Sequence, residues 1–220
     1  MKRVVILVGL VLAATVACAA CAQQSASDSS TGTASAGLSP IYSPGKCNFR
    51  LKLNGGTVSV HNASSFQSAG YYPPGTENWS VPLLCYAGAS QDQIDQQLDA
   101  KKINGTWVWY NPGAGNVPEN PPFTPEQHFH AYALSGKNWK GTAITYDDTT
   151  GDEATRGRNL FFCLIETKGP QVLCGGPISV MALVDPPSTS TLPKIMAVLK
   201  TIEFVDAPAS QPAASSTSGQ

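Results

Sequence analysis

Glu126-x-His128-x-His130 is the sharpest candidate for chemistry in this sequence. Side chains alternate across a strand, so on a strand all three would share one face and could ligate a metal ion, as in a metal-binding module or a metal-dependent hydrolase. Against that, paired histidines on a half-exposed strand are more often surface or partner-facing residues, His61 is the only other histidine, and Pro125 favours loop at Glu126. Neither a metal ligand nor a catalytic residue is assigned. Asp147, Asp148, Asp152 and Glu153 could supply paired carboxylates, but they surround Thr149-Thr150-Gly151 and read as a solvated turn between strands. No Gly-x-Ser-x-Gly elbow, P-loop or Gly-x-Gly-x-x-Gly motif occurs, and no cofactor is called for. Trp107, Trp109 and Tyr110, with Trp79, Tyr71 and Tyr72, could form an aromatic platform for a glycan or a peptide. Alternation puts Trp107 and Trp109 on one face, and such a face is more often core. Trp107, Trp109, Tyr110, His128 and His130 remain as candidate binding residues.

The chain that must position these groups has 220 residues, of which 42% are hydrophobic and 13% charged. That charged share is about half the average for a soluble domain. With 14 Lys and Arg against 15 Asp and Glu, no basic face is available to neutralise phosphates, so nucleic acid is not an expected partner. No apolar run outside the N-terminus is long enough to cross a bilayer. The globular stretch, about 160 residues, suffices for a single core.

Lys2 and Arg3 precede an apolar stretch from Val4 to Ala17, and small residues follow, the order of a secretory signal. Ala14-Thr15-Val16-Ala17-Cys18 resembles the lipobox of bacterial lipoproteins, with Thr15 where leucine is commonest. The resemblance implies a signal peptide over 1–17, lipid attachment at Cys18, a membrane anchor and a mildly acidic mature chain. Lipidation at Cys21 instead, or cleavage after Ala22 to give a secreted protein, stays open. Cysteine parity favours Cys21, because cleavage there leaves four cysteines that can pair. Alanine follows both candidates, and in lipoproteins of this kind that implies passage to the outer membrane, facing the periplasm.

Residues 18–46 are rich in Ser, Ala, Gly, Thr and Pro and read as a flexible tether, with a globular domain over 47–206 and a disordered tail over 207–220. A flexible segment of about 24 residues reaches roughly 25–30 Å. Within the domain, Phe49 to Leu53 and Thr57 to Val60 alternate around Asn54-Gly55-Gly56, a hairpin pattern. Ser90 and Gln93 match a capping box for a short helix carrying Ile94 and Leu98, which helical spacing extends through Lys101 and Lys102 to Asn104-Gly105. Strands are expected at 106–110, 128–134, 139–146, 159–166, about 172–174 and 177–184. Asn111 to Pro125, with five prolines in fifteen residues, should be a long irregular loop. Thr191-Leu192-Pro193 opens a second helix with Ile195, Val198, Leu199 and Ile202 on one face, and Glu203 to Val205 ends the domain as an extended piece. The fold class is α+β, a mostly antiparallel sheet with two short helices.

Cys163 and Cys174 lie symmetrically about the Lys168-Gly169 turn. Pro170 cannot donate a ladder hydrogen bond, which favours a four-residue loop and makes the two cysteines a close, non-hydrogen-bonded pair suited to a disulfide. Cys47 and Cys85 would then form the second bridge in an oxidising compartment. Zinc is the alternative for the four, but they contain no Cys-x-x-Cys knuckle.

The segment from Leu160 to Val184, a Pro-rich break, and Leu192-Pro193-Lys194-Ile195-Met196-Ala197-Val198-Leu199-Lys200-Thr201-Ile202-Glu203-Phe204 resemble the closing β-hairpin, helix and strand of PsbP-like domains. The resemblance covers under a third of the mature chain. It implies an α-β-α sandwich that binds protein and carries no catalytic constellation. The expectation is therefore a lipid-anchored, periplasmic, non-enzymatic binding domain with a protein partner. One version is an immunity protein that occludes a toxin arriving in the periplasm. The competing expectation is an envelope metal- or glycan-binding module, or a metal-dependent hydrolase, using Glu126, His128 and His130.

Overall fold

The structure, a computed structural model, describes residues 39–63, 66–113 and 118–206. The expected signal peptide over 1–17, Cys18, Cys21, most of the expected tether and the expected tail over 207–220 lie outside the described residues. Residues 39–46, expected within the tether, pack onto the domain. Tyr42 is buried against Phe49, with ring centroids 5.8 Å apart, and exchanges backbone hydrogen bonds with it.

In chain order the elements are β1 (Phe49–Arg50), β2 (Thr57–Ala63), β3 (Phe66–Tyr72), β4 (Val81–Cys85), α1 (Gln91–Leu98), β5 (Ala100–Ile103), β6 (Thr106–Trp109), β7 (His130–Ser135), β8 (Trp139–Asp147), β9 (Gly157–Glu166), β10 (Val172–Ala182), α2 (Leu192–Leu199) and β11 (Glu203–Phe204). Seven strands form one antiparallel sheet in the order β2-β3-β4-β10-β9-β8-β7. The fold is α+β, with a mostly antiparallel sheet and two short α-helices.

Alternation on the central strands gives the sheet two apolar faces. Leu160, Phe162 and Leu164 of β9 join Leu173, Ile178 and Val180 of β10 in the main core, which α2 closes with Ile195, Val198 and Leu199. On the opposite face Cys163, Val172 and Cys174 receive Ile94 and Leu98 of α1. Beside α1, the β5–β6 hairpin lays Trp107 and Trp109 over Ile144, Tyr146 and Phe161. The layers run helix, sheet, helix plus hairpin.

The capping box is present, with Gln93 N donating to Ser90 Oγ and Ser90 N to Gln93 Oε1. The helix is shorter than its spacing suggests. It stops at Leu98 because Asp99 turns left-handed, at φ 53°, and the next residues pair as β5. Asn104 and Gly105, both at positive φ, form the two-residue loop of that hairpin instead of ending a helix.

The expected pairing of 49–53 with 57–60 does not form. Asn54-Gly55 does turn the chain, but β1 pairs with β11 and β2 with β3. Phe49, Leu51 and Leu53 are all buried under the α2 face, and Arg50 reaches Glu203 at 2.8 Å. The runs expected at 172–174 and 177–184 are one strand, β10. Leu173 and Ile178 are an odd number of residues apart and would face opposite ways in a regular strand. A register shift between Gly175 and Ile178 returns both to the core.

Two disulfides close the domain, Cys47–Cys85 and Cys163–Cys174. The second joins directly opposed residues with Cα atoms 4.1 Å apart, and Glu166 N donates to Gln171 O at the mouth of the four-residue loop. The first ties the segment before β1 to the end of β4. Side chains complete the attachment of the termini. Trp139 Nε1 donates to Ile202 O at 2.7 Å, Asn138 bonds both backbone groups of Phe204, and Gln171 Nε2 donates to Val205 O.

The two bridges span 38 and 11 residues. If they act mainly on the unfolded chain, replacing Cys47 and Cys85 by alanine costs about 3–4 kcal/mol, and replacing Cys163 and Cys174 about 1 kcal/mol less. Urea unfolding midpoints check this, and a larger loss for the shorter bridge would contradict it.

Candidate functional site

The hairpin β5–β6 and the Pro-rich segment after it build the first candidate surface. Trp107 and Trp109 share a face, as alternation requires, and that face is packing. Trp109 lies edge-on to Phe123 at 6.0 Å and 5.9 Å from Tyr146, while Trp107 lies 6.1 Å from Phe129. Phe123 stacks on Phe129 at 4.1 Å. Such contacts fix ring orientation as well as burying area. Tyr110 is separate from this layer. Its hydroxyl donates to Asp92 of α1 at 3.0 Å, and Lys101 Nζ stands 5.9 Å from its ring.

The aromatic layer holds down both described arms of the loop, 111–113 and 118–124. Trp109 N donates to Pro121 O at 2.9 Å, and Val108 bridges Pro122. Asn120 N donates to Asn111 O, while Asn111 N donates to Asn120 Oδ1. Thr124 N donates to the buried Gln127 side chain at 2.8 Å. Pro112, Pro118, Glu119 and Pro122 remain exposed on these pinned arms. The expected irregular loop is thus fixed at its base.

Glu126, His128 and His130 do not share a strand face. Pro125 starts a short 3-10 turn, Pro125–Gln127, that holds Glu126, and His128 ends it in left-handed conformation at φ 42°. Only His130 belongs to β7, which begins there and not at residue 128. Among the described residues no group of three or more His, Cys, Asp and Glu side chains is placed to hold a metal ion. The geometry on which the metal-dependent expectation rested is therefore not present.

His128 instead meets Asp147, a residue expected in a solvated turn. Asp147 is only 3% exposed, because β8 extends to it and pairs it with Arg158 of β9. Arg158 grips both carboxylate oxygens, at 2.6 and 2.9 Å, and His128 Nδ1 lies 2.9 Å from Oδ2. Those bonds hold the Arg158 pKa above its usual value. The bidentate pair satisfies the buried carboxylate, and the imidazole, with 63% of its side chain exposed, caps the assembly from outside. Asp148 and Asp152 do form the expected turn, accepting from Thr150 N and Ala154 N.

Asp99, the residue that ends α1, accepts a 2.5 Å hydrogen bond from the Tyr146 hydroxyl. Burial raises the Asp99 carboxyl above the usual carboxylate range, against the opposing pull of that hydrogen bond. Burial and the same bond push the Tyr146 hydroxyl up. The pair ties α1 to the aromatic layer.

The second candidate surface takes in Tyr72 and Trp79, which the sequence suggests for an aromatic platform but which are not among its candidate binding residues. α1 and the hairpin cover β10, β9 and β8, whereas among the described residues no helix packs on the same face of β2, β3 and β4. A cleft of about 430 Å³ opens there, lined among others by His61, Ser68, Tyr72, Trp79, Leu84 and Ser179. Besides that platform reading, the adjacent tyrosines are a signal for it. Tyr71 and Tyr72 must point to opposite faces, and they are 2% and 46% exposed.

Comparison with protein-family models, with curated proteins and with solved structures finds no match.

The raised Asp99 pKa has a definite sign in stability. A carboxyl that binds its proton more tightly in the folded state contributes stability below its unfolded pKa, about 3.9, and loses it as pH rises through the folded value. Asp99→Asn, which keeps an acceptor for Tyr146 and carries no charge, is expected to gain on the parent protein as pH rises from about 4 to neutrality. Thermal unfolding across that range checks it. A constant difference at every pH would contradict it.

Proposed function

We propose that the protein is a lipid-anchored, non-enzymatic binding domain of a bacterial cell envelope, facing the periplasm and engaging a protein partner. The anchor is the lipid on Cys18, or on Cys21 if cleavage falls there. The observation that carries the reading is the pinned Pro-rich segment. Both described arms are tied by backbone and asparagine hydrogen bonds to β6 and to each other, over a floor of Trp109, Phe123 and Phe129. Exposed prolines on a fixed base lose little conformational freedom on binding, which is the condition for holding a partner without first ordering the surface. Glu119 adds an exposed negative charge, and Glu126 and His128 stand just beyond the arms.

Three other features support the same reading. The sequence before residue 39 carries the charged, apolar and small-residue order of an export signal and the lipobox-like cysteine. The two disulfides suit an oxidising compartment. The helix, sheet, helix layering is the arrangement a PsbP-like protein-binding sandwich would need. An immunity protein that covers a periplasmic toxin is one form this function takes, with the pinned arms as the occluding surface.

Cross-linking in intact cells, followed by recovery of the full chain, tests the proposal. The expected result is one protein recovered at comparable stoichiometry, and about tenfold less of it with the surface pair Pro118→Gly and Glu119→Lys. Recovery of lipid and wall background alone, or of a partner indifferent to that pair, would overturn the reading.

A further inference from the structure

We infer that the cleft over β3, β4 and β10 is a binding site for a neutral carbohydrate, separate from the protein-binding surface proposed above. The first observation is placement. One face of the sheet carries the main core, and on its other face α1 and the β5–β6 hairpin stop short of β2, β3 and β4. Ser68 and Tyr72 of β3, Leu84 of β4, Ser179 of β10 and His61 of β2 turn toward this open side, while their chain neighbours Ala69, Tyr71, Leu83, Ile178 and Val60 turn into the core.

The second observation is chemistry. The lining holds the exposed Tyr72, the half-buried Trp79 whose ring packs on the main core, Ser68, Ser80, Ser179, Asn78 and His61, and, among the described residues, no Lys, Arg, Asp or Glu. A charged ligand finds no counter-charge there. A sugar fits each group: its C–H face packs on an aromatic ring, and its hydroxyls exchange hydrogen bonds with hydroxyl, amide and imidazole groups that both donate and accept. An aromatic ring beside a few convergent polar groups is a combination used in small-ligand sites.

The third observation is that the rings are set in place before any ligand arrives. Gly70 lies two residues before Tyr72 on the same face, and a Cβ there would come within 3.0–3.2 Å of the Tyr72 ring. The missing side chain lets the ring lie across the strand with its outer face free. Trp79 is fixed from two sides, by its ring 6.0 Å from Tyr71 and by the hydrogen bond from Nε1 to the Glu77 carboxylate. Glu77 is in turn paired with Lys194 of α2 at 2.9 Å. Those bonds hold the Glu77 carboxyl below the usual carboxylate range, so the brace on Trp79 is charged at neutral pH.

The test uses the full chain, labelled with nitrogen-15, in a zwitterionic detergent that carries no sugar. Chitotetraose, cellotetraose and mannotetraose are titrated separately to about 20 mM, a range that reads weak binding. Expected is saturable movement of the Ser68, Gly70, Tyr72 and Ser179 amides with at least one of the three. Tyr72→Ala should weaken that binding about tenfold, and Tyr72→Phe, which keeps the ring, should retain most of it. Gly70→Ala tests the setting of the ring and should weaken binding at least about threefold with unchanged thermal stability. No movement with any of the sugars would overturn the inference. So would movement confined to Trp107 and Trp109, or saturation of the cleft by the neutral peptide acetyl-Gly-Ser-Ala-Gly-amide in place of the sugars. Loss of the partner on changing Pro118 and Glu119 leaves these sugar shifts in place, so the two claims fail separately.

Discussion

Opposite-facing alternation along β9 and β10 is the constraint on which the rest of the structure depends. Leu160, Phe162 and Leu164 face α2, and between them Phe161 and Cys163 face the hairpin and α1. A sheet apolar on both sides must be covered on both sides, and the described residues supply two short α-helices with which to do it. α2 and the β1–β11 pair cover one side, leaving Val58, Val60 and Tyr132 at its margins partly buried. On the other side α1 and the β5–β6 hairpin cover the strands from β10 outward to β8, and no other described element covers the β2–β4 half. The cleft is the part of a two-faced sheet that its covering elements do not reach.

The same constraint sorts the aromatic residues. Trp107, Trp109, Phe123, Phe129, Tyr146 and Phe161 form a layer that glues the hairpin and the loop arms to the sheet. Trp107 and Trp109 belong to the platform that the sequence suggests, but their contacts are with the other rings of this layer. Tyr72, which sits apart from this layer, is exposed, and Trp79 beside the cleft is half-buried against the main core. Charge is handled in a similar way: the buried carboxylate of Asp147 is held by Arg158 and capped by His128, so a cluster with the residue types of an active site is occupied in fastening the end of β8 to β9.

What could be read in the sequence was local. The Ser90–Gln93 capping box lies within one helical turn, and the Cys163–Cys174 pairing follows from symmetry about a turn and the missing N–H of Pro170. What could not be read depends on partners far along the chain. Phe49 and Arg50 alternate like the first arm of a hairpin, but their neighbours are Phe204 and Glu203. Nothing near Asp147 in sequence indicates burial, which comes from its register with Arg158 across the β8–β9 turn. At Glu126 to His130 the period-two pattern is real in the letters, and Pro125 with the left-handed His128 removes it from the backbone. Most of the first candidate surface was visible as composition, whereas the cleft becomes visible only when the uncovered half of the sheet is known.

Hydroxyl-radical labelling of the full chain in its native state, read at Tyr71 and Tyr72, tests this central claim most directly. The two rings have the same intrinsic reactivity and adjacent positions, and differ only in the face they occupy, at 2% and 46% exposure. The account predicts rapid modification of Tyr72 and protection of Tyr71. Protection of both would mean that the open half of the sheet is covered after all. Modification of Tyr71 in place of Tyr72 would mean that β3 is shifted by one residue, which would turn the face out of which the cleft is built.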